Sequence, residues 1–421
     1  MQLALLGLDD QTLAIAREAI AGGRHRIEAV CDLSSEQLAT LAADGVNLPE
    51  PTPWETLLTD TQAKIDAVVA AAATEQEQRA EQLILLAQAG VPLLVAHPVV
   101  DSMLVCYRLE MVREEMQGVL IAYLPSRWHP LVERTAELIR GGIRRGGSAG
   151  AGAGSPVGLF DHASFERWAV ERDQTATLAH FARDVALIRR TCGDVTRIGA
   201  LGSADEPTAY ANLAVQLAGA AAVPTRWSIG PVDEQPGGRL TLFGQRGRVV
   251  LQLPDDAPWQ LDIRPTDALQ PESLSIPDWN APAAALKKLE DAIRKRGDVA
   301  ADHATAAEDW HDAARSVELA ETVVRSLARG RTIEVQHEEL SEAGTFKSLM
   351  TALGCGLLLV AVFVFILLGP LWGPRVLLFV LGLFLVLQLL LAVATRGSKR
   401  ESGRGDECTP HAPREDSSRG A

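Results

Sequence analysis

Few side chains in this sequence are able to do chemistry, and they stand far apart. His97 sits between Ala96 and Pro98 at the end of an apolar run. An imidazole titrates near neutrality and can accept a proton as a general base; the blander alternative, a strand-end histidine outside catalysis, is the one we favour. His180 and Asp184 are four residues apart, the spacing that brings two side chains to one face of a helix. They are therefore either parts of a site or a local pair. Arg127 and His129 fall in the segment SRWHP. A guanidinium suits a carboxylate or phosphate bidentately, with a structural role as the alternative. Gly7 opens Gly7-Leu8-Asp9-Asp10-Gln11-Thr12 after one short apolar run, and Asp32 closes another. The glycine-rich stretch 141–155 reads as a flexible loop or linker. A phosphate loop is disfavoured there, since no strand leads into it and the spacing G-x-x-x-x-G-K-[ST] is missing. Patterns of the HExxH, GxSxG, HxE…CxxC and kinase types do not occur, so hydrolase, deaminase and kinase readings have no support. The five cysteines (31, 106, 192, 355 and 408) form no CxxC pair. Neither a metal site nor a disulfide framework is indicated, and a reducing compartment suits that usage.

These residues need elements to position them. At roughly 150 residues per domain, 421 residues predict two to three domains. A hydrophobic share of 47% with 22% charged is ordinary for globular protein. The net charge of −14, from 40 basic and 54 acidic residues, argues against nucleic acid, whose phosphates demand clustered Lys and Arg. Short apolar runs at 3–8, 26–32, 66–72, 91–95 and 119–123 read as strands, with helices predicted to about residue 21, through 43 and over 76–90. Apolar strands alternating with helices indicate a parallel sheet covered on both faces. Asp9 or Asp10 is the expected cap of the first helix. Further on, 177–190 is predicted helical. The segments 239–243 and 248–253 flank GQRG as a β-hairpin, and 259–264 alternates as another strand. A long helix over 309–327 places Val317, Ala320, Val324 and Leu327 on one face.

The hydrophobicity concentrates near the other end. Residues 349–368 and 376–394 carry no charge, and about 20 apolar residues span a bilayer core. Two such spans joined by 369–375, with Pro370 and Pro374 in the turn, form a hairpin whose ends share one side. The turn carries only Arg375, whereas Lys347, Arg396, Lys399, Arg400 and Arg404 flank the spans, so the flanks are expected inside. The opening MQLALLGLDDQ lacks a basic stretch and is not read as a signal peptide. The body and the tail after 395 are thus expected to face the cytoplasm, with the tail disordered.

With the elements in order, residues 1 to about 334 resemble the glucose–fructose oxidoreductase / inositol dehydrogenase (Gfo/Idh/MocA) family. IDAVVAAAATEQEQRAEQLILLAQAGVPLLVAHP is similar to the family's strand–loop–helix–strand ending in Glu-Lys-Pro. YLPSRWHPLVERTAELI resembles the segment after the next strand. GRLTLFGQRGRVVLQL resembles the sheet hairpin around Gly-x-x-Gly, and DAARSVELAETVVRSLARGRTIEV the C-terminal helix. The resemblance implies a nicotinamide dinucleotide, NAD or NADP, on the first domain. It also implies sugar or polyol oxidation by the lysine of Glu-Lys-Pro with a downstream Asp/His pair. Carried onto this chain, only Gly7 remains of a G-x-G-x-x-G loop, and Asp9 and Asp10 place negative charge where a helix N-terminus would receive phosphate. Asp32 matches the acid that binds the adenosine ribose in NAD-type sites. Ala96-His97-Pro98 stands for Glu-Lys-Pro. For the downstream pair two registers are open. One uses His180 and Asp184. The other, which keeps Gly193 in step and is favoured, puts Arg183 and Ala186 there.

The expected architecture is an α/β Rossmann-like domain over 1–123 and an α+β domain with an open, largely antiparallel sheet over 124–334. A linker over 335–347, two transmembrane helices within 348–395 and a tail over 396–421 follow. The expected function is a membrane-anchored binding or scaffold protein without hydride transfer, whose small-molecule ligand is not named by its residues. The alternative is an active NAD(P)-dependent oxidoreductase on a sugar or polyol-like substrate with His97 as proton acceptor; a third class is a pure interaction module. Both faces of the 239–253 hairpin carry apolar residues, so one is expected to pack on helices and the other on a second subunit, giving a homo-oligomer.

Overall fold

The computed structural model describes residues 1–43, 48–59, 65–142, 155–202, 210–219, 222–267, 270–295 and 303–335. The proposed spans at 349–368 and 376–394, the tail, and most of both the linker and the glycine-rich stretch lie outside the described residues. No helix among the described residues is long and apolar enough to cross a membrane.

The first sheet has five parallel strands, β1 (Gln2–Leu6), β2 (Arg26–Cys31), β3 (Ala67–Ala70), β4 (Leu93–Val95) and β5 (Leu120–Ala122), in the order β2-β1-β3-β4-β5. Near-continuous runs such as Leu3–Leu6 and Ala67–Ala70 are buried on both faces, as parallel strands covered by helices require. The connecting helices are α1 (Asp10–Ala21), α2 (Ser35–Ala43), α3 (Thr56–Thr59), α4 (Gln76–Gln88) and α5 (Met103–Met116). Helix α5 was not expected. It buries Cys106, Leu109 and Arg113, too few apolar positions for its sequence to show a clear 3.6-residue period.

After α6 (Pro125–Trp128) and α7 (Pro130–Gly142) the chain enters a second sheet of nine strands. These are β6 (Phe160–Trp168), β7 (Arg197–Leu201), β8 (Ala214–Ala218), β9 (Thr225–Gly230), β10 (Gly237–Gly244), β11 (Gly247–Pro254), β12 (Gln260–Pro265), β13 (Glu272–Ser275) and β14 (Ile333–Glu334). Their order is β13-β12-β11-β10-β6-β9-β8-β7-β14, with β6 and β9 parallel and the other neighbours antiparallel. Helix α8 (Gln174–Cys192) follows β6, and α9 (Ala281–Lys295) and α10 (His303–Arg329) lie between β13 and β14. One sheet face, with Phe165, Trp227, Leu240, Leu242, Val249 and Leu251, is buried against Phe181 and Val185 of α8 and Leu319 and Val323 of α10. The late helices also return to the first sheet. Ala285, Leu286 and Leu289 of α9 join the core with Leu5 and Ile15, while Trp310 and Ala313 of α10 join the core on the other face.

The hairpin forms where expected, with Leu242 opposite Val249 and Leu240 opposite Leu251, and only Gln245 and Arg246 in the turn. Gly247 has φ +146°, and a Cβ there would lie 2.3 Å from the Arg264 carbonyl oxygen. That oxygen belongs to β12 backbone and has little freedom to move. Gly247→Ala is therefore expected to destabilise the protein by about 1–3 kcal/mol or more, read as a lower urea midpoint. An unchanged midpoint would show that the strand pair yields.

Candidate functional site

Open α/β sheets bind ligands outside the carboxyl ends of their strands, where the strand order reverses. Here that place lies between β1 and β3. The β1 turn is closed by the two residues that stand at the second and third glycine positions of a dinucleotide loop. Asp9 caps α1: its Oδ1 accepts from the Thr12 N–H at 2.8 Å, while the Asp9 N–H donates to Thr12 Oγ1 at 2.9 Å. This reciprocal box satisfies donors that a helix start leaves orphaned. Asp9 Oδ2 accepts from the Ala72 N–H after β3, at 3.0 Å. One carboxylate thus holds donors from both sides of the crevice. Asp10 is the exposed first residue of α1.

Gly7 adopts φ +74° and is covered by Arg79 of α4, whose Nη2 lies 2.7 Å from where a Cβ on Gly7 would sit. Arg79 is 3% exposed, and its Nε and Nη1 have no hydrogen-bond partner among the described residues. Burial pushes this guanidinium down, opposed by Asp32 and Asp9. Asp32 is exposed at φ +56° and accepts from Gln82 Nε2 at 2.7 Å.

His97 lies at the end of β4, before a cis bond to Pro98, and is only 2% exposed. Its backbone is clamped by Gln11, which accepts from the His97 N–H at 3.0 Å and donates to the His97 carbonyl at 2.8 Å. The ring Nε2 is 3.0 Å from Ser316 Oγ on α10. Burial, then Arg183, push His97 down to about 3, against a hydrogen bond to the Ala182 backbone. The ring is thus neutral near pH 7 and is enclosed by protein.

That backbone bond brings α8 beside the crevice. His180 is pushed down to about 4 by burial, then by Arg183 and Arg167. Of the two readings left open for His180 and Asp184, the local hydrogen-bonded pair is not formed. Asp184, 3% exposed, takes both Nε (3.0 Å) and Nη2 of Arg167 on β6, together with Trp227 Nε1 at 2.9 Å. Arg167 also reaches Asp255 at 3.3 Å. Arg183, at the position the favoured register assigned, acts electrostatically on both His97 and His180. The structure therefore brings His97, His180, Arg183 and Asp184 together, and leaves Gly7 and Asp32 at the carboxyl ends of β1 and β2. Arg79, Gln11, Arg167 and Ser316 were not singled out from sequence, since nothing local distinguishes them from solvated side chains.

Arg127 and His129 have structural surroundings. Arg127 Nε pairs with Asp309 at 2.7 Å, and its Nη groups with Glu308 and Asp312. His129 is buried, stacks on Trp259 at 4.4 Å, meets Trp279 at 4.3 Å, and its Nδ1 accepts from the Leu131 N–H at 3.1 Å. Burial pushes it down to about 4. No group of three or more metal-ligating side chains exists among the described residues.

No family model matches the sequence, and no curated protein sequence does. Solved structures do match the fold. The aldose–aldose oxidoreductase from Caulobacter crescentus complexed with glycerol aligns over 80% of this chain and 99% of its own, at TM-score 0.62 and 16% identity. A 3-ketoreductase from Actinomadura kijaniata in complex with NADP aligns over 78% and 97%, at TM-score 0.61 and 15% identity. An oxidoreductase from Agrobacterium radiobacter in complex with NAD+, L-tartaric acid and magnesium aligns over 79% and 98%, at TM-score 0.58 and 14% identity. A Rossmann-like parallel sheet followed by a mixed, mostly antiparallel one is the Gfo/Idh/MocA-type fold, and this chain has it. The nicotinamide cofactor common to that fold fits these residues poorly. Its pyrophosphate would need the donors of α1 and Ala72 that Asp9 holds, and would meet the Asp9 charge. Asp32, at the end of β2 where the resemblance places a ribose partner, is exposed and accepts from Gln82.

Proposed function

We propose that this chain is a small-molecule-binding or scaffold protein that keeps a Gfo/Idh/MocA-type body without hydride transfer. The observation that carries this reading is the Asp9 carboxylate seated on the Thr12 and Ala72 N–H groups. His97, enclosed and neutral where the resemblance expects a lysine, supports it. The test is calorimetric titration of the full chain with NAD and NADP, with turnover assays on sugars, polyols and their phosphates. No binding in the low micromolar range and no turnover are expected. Asp9→Gly, which removes the competing carboxylate, is expected to bind either dinucleotide more tightly. Low-micromolar binding by the unaltered chain, with turnover lost in His97→Ala, would establish the alternative instead: an NAD(P)-dependent oxidoreductase on a sugar or polyol-like substrate. That alternative draws on exposed Asp32 and on fold neighbours solved with NAD+ or NADP.

The reading includes a membrane anchor, formed by 349–368 and 376–394, with body and tail on the cytoplasmic side. Protease added to sealed cells or spheroplasts should leave the body whole and digest it once membranes are opened. Release of the full chain without detergent would remove the anchor from the proposal. It further includes self-association through the open face of the second sheet, where Phe243 stacks on His162 at 4.5 Å and Thr241 stays half-buried. Light scattering in detergent should find more than one chain per particle.

A further inference from the structure

Three arginines approach the crevice between the first sheet and α8, and their partners differ. Arg167 is paired with Asp184 and Asp255. Arg79 covers Gly7 beneath the loop. Arg183 forms no ion pair with any described residue. Its Nε donates to the Ala179 carbonyl at 3.2 Å, within its own helix, and its two Nη groups have no partner among the described residues. This guanidinium sits on the α8 face that carries His180 and Asp184, next to the Ala182 backbone that bonds His97.

The charged and titratable groups facing it are otherwise committed. Asp184 is held by Arg167 and Trp227. Asp255 lies 3.3 Å from Arg167, and Asp9 is bound by Thr12 and Ala72. His97 is engaged by Ser316, and His180 is pushed down to about 4, so both are neutral near pH 7. Burial, then Arg167, push the Arg183 guanidinium down. A half-buried cation beside a second cation is stabilised by an anion that reaches it, and a planar guanidinium with both Nη groups available holds a carboxylate best.

We propose that the crevice takes an acidic, polyhydroxylated ligand of sugar-acid type, whose carboxylate is held by the Nη groups of Arg183. The proposal rests on the binding-protein reading above. A monoanion suits the place better than a phosphate dianion, because Asp9 and Asp255 lie in electrostatic range of the same guanidinium. Neutral His180 offers a ring N–H or lone pair to ligand hydroxyls.

The test compares D-glucuronate with D-glucose, which share a ring and differ by the carboxylate, in calorimetric titrations of the full chain. D-Glucuronate is expected to bind at least about tenfold more tightly, a difference of about 1.4 kcal/mol. Arg183→Gln should abolish that preference, and Arg183→Lys, which keeps the charge but loses the planar fork, should retain part of it. A preference that survives in Arg183→Gln overturns the proposal, as does equal binding of the two probes. Failure of D-glucuronate, D-gluconate and L-tartrate all to bind at millimolar concentration also overturns it. If Arg183→Gln does not fold, a preference in Arg183→Lys equal to that of the unaltered chain is the overturning result. The NAD titration reads the underlying proposal separately. Tight dinucleotide binding with the acid preference intact would sink the binding-protein reading alone, and loss of the preference without dinucleotide binding would sink this inference alone.

Discussion

Asp184→Ala is expected to destabilise the protein by about 3–5 kcal/mol, the range for breaking a buried ion pair by removing one partner. The carboxylate is 3% exposed and accepts from Arg167 and from the indole of Trp227. Its removal leaves a buried guanidinium with only half-exposed Asp255, and leaves the Trp227 N–H unpaired in the core of the second sheet. The double variant Arg167→Met with Asp184→Leu removes both charges and should recover much of the loss, since apolar replacement of a whole buried pair is often close to neutral. Urea unfolding of the unaltered chain and the two variants checks this. A midpoint unchanged in Asp184→Ala would return Asp184 to the status of a free site residue, able to act on a ligand.

Acid should destabilise the protein through its buried histidines. His97 and His129 are each 2% exposed and pushed down to about 3 and about 4 by burial, against 6.5 for an unhindered imidazole. The unfolded chain takes up protons at these positions below pH 6.5, while the folded chain does not. Stability is therefore full above about 6.5 and falls as pH drops from there towards the folded values. At pH 4.5, two units below, each histidine removes up to about 2.7 kcal/mol. His180, also pushed down to about 4, adds to the same slope. The urea midpoint should fall steeply from pH 7 to pH 4.5. His129→Gln should flatten that slope whatever it does to the midpoint at pH 7. An unchanged slope would mean that these rings already take up protons in the folded protein.

Much of the first layer was legible along the chain. The five parallel strands, the Asp9 cap and the 239–253 hairpin follow from apolar runs, an acid before a helix and a two-residue turn, all of which are local signals. β6, β7, β8 and β9 went unassigned because they mix polar and apolar residues on a half-buried sheet, as in FDHASFERW. Helix α5 went unassigned because it buries only a narrow stripe.

The residue types at the crevice were also legible: Asp9 for a glycine, His97 for a lysine, Arg183 beside His180. Their partners were not. His97 meets Ser316 across 219 positions, Gln11 clamps His97 across 86, and Asp184 turns to Arg167 on a neighbouring strand rather than to His180 one helical turn away. Periodicity constrains which side of an element a residue takes, because helix and strand repeats are short-range. Which charge neutralises which, and which guanidinium is left for a ligand, is decided only when the two sheets and α8 pack. Burial then makes an unpaired charge costly, and the nearest carboxylate in space, not in sequence, takes it up.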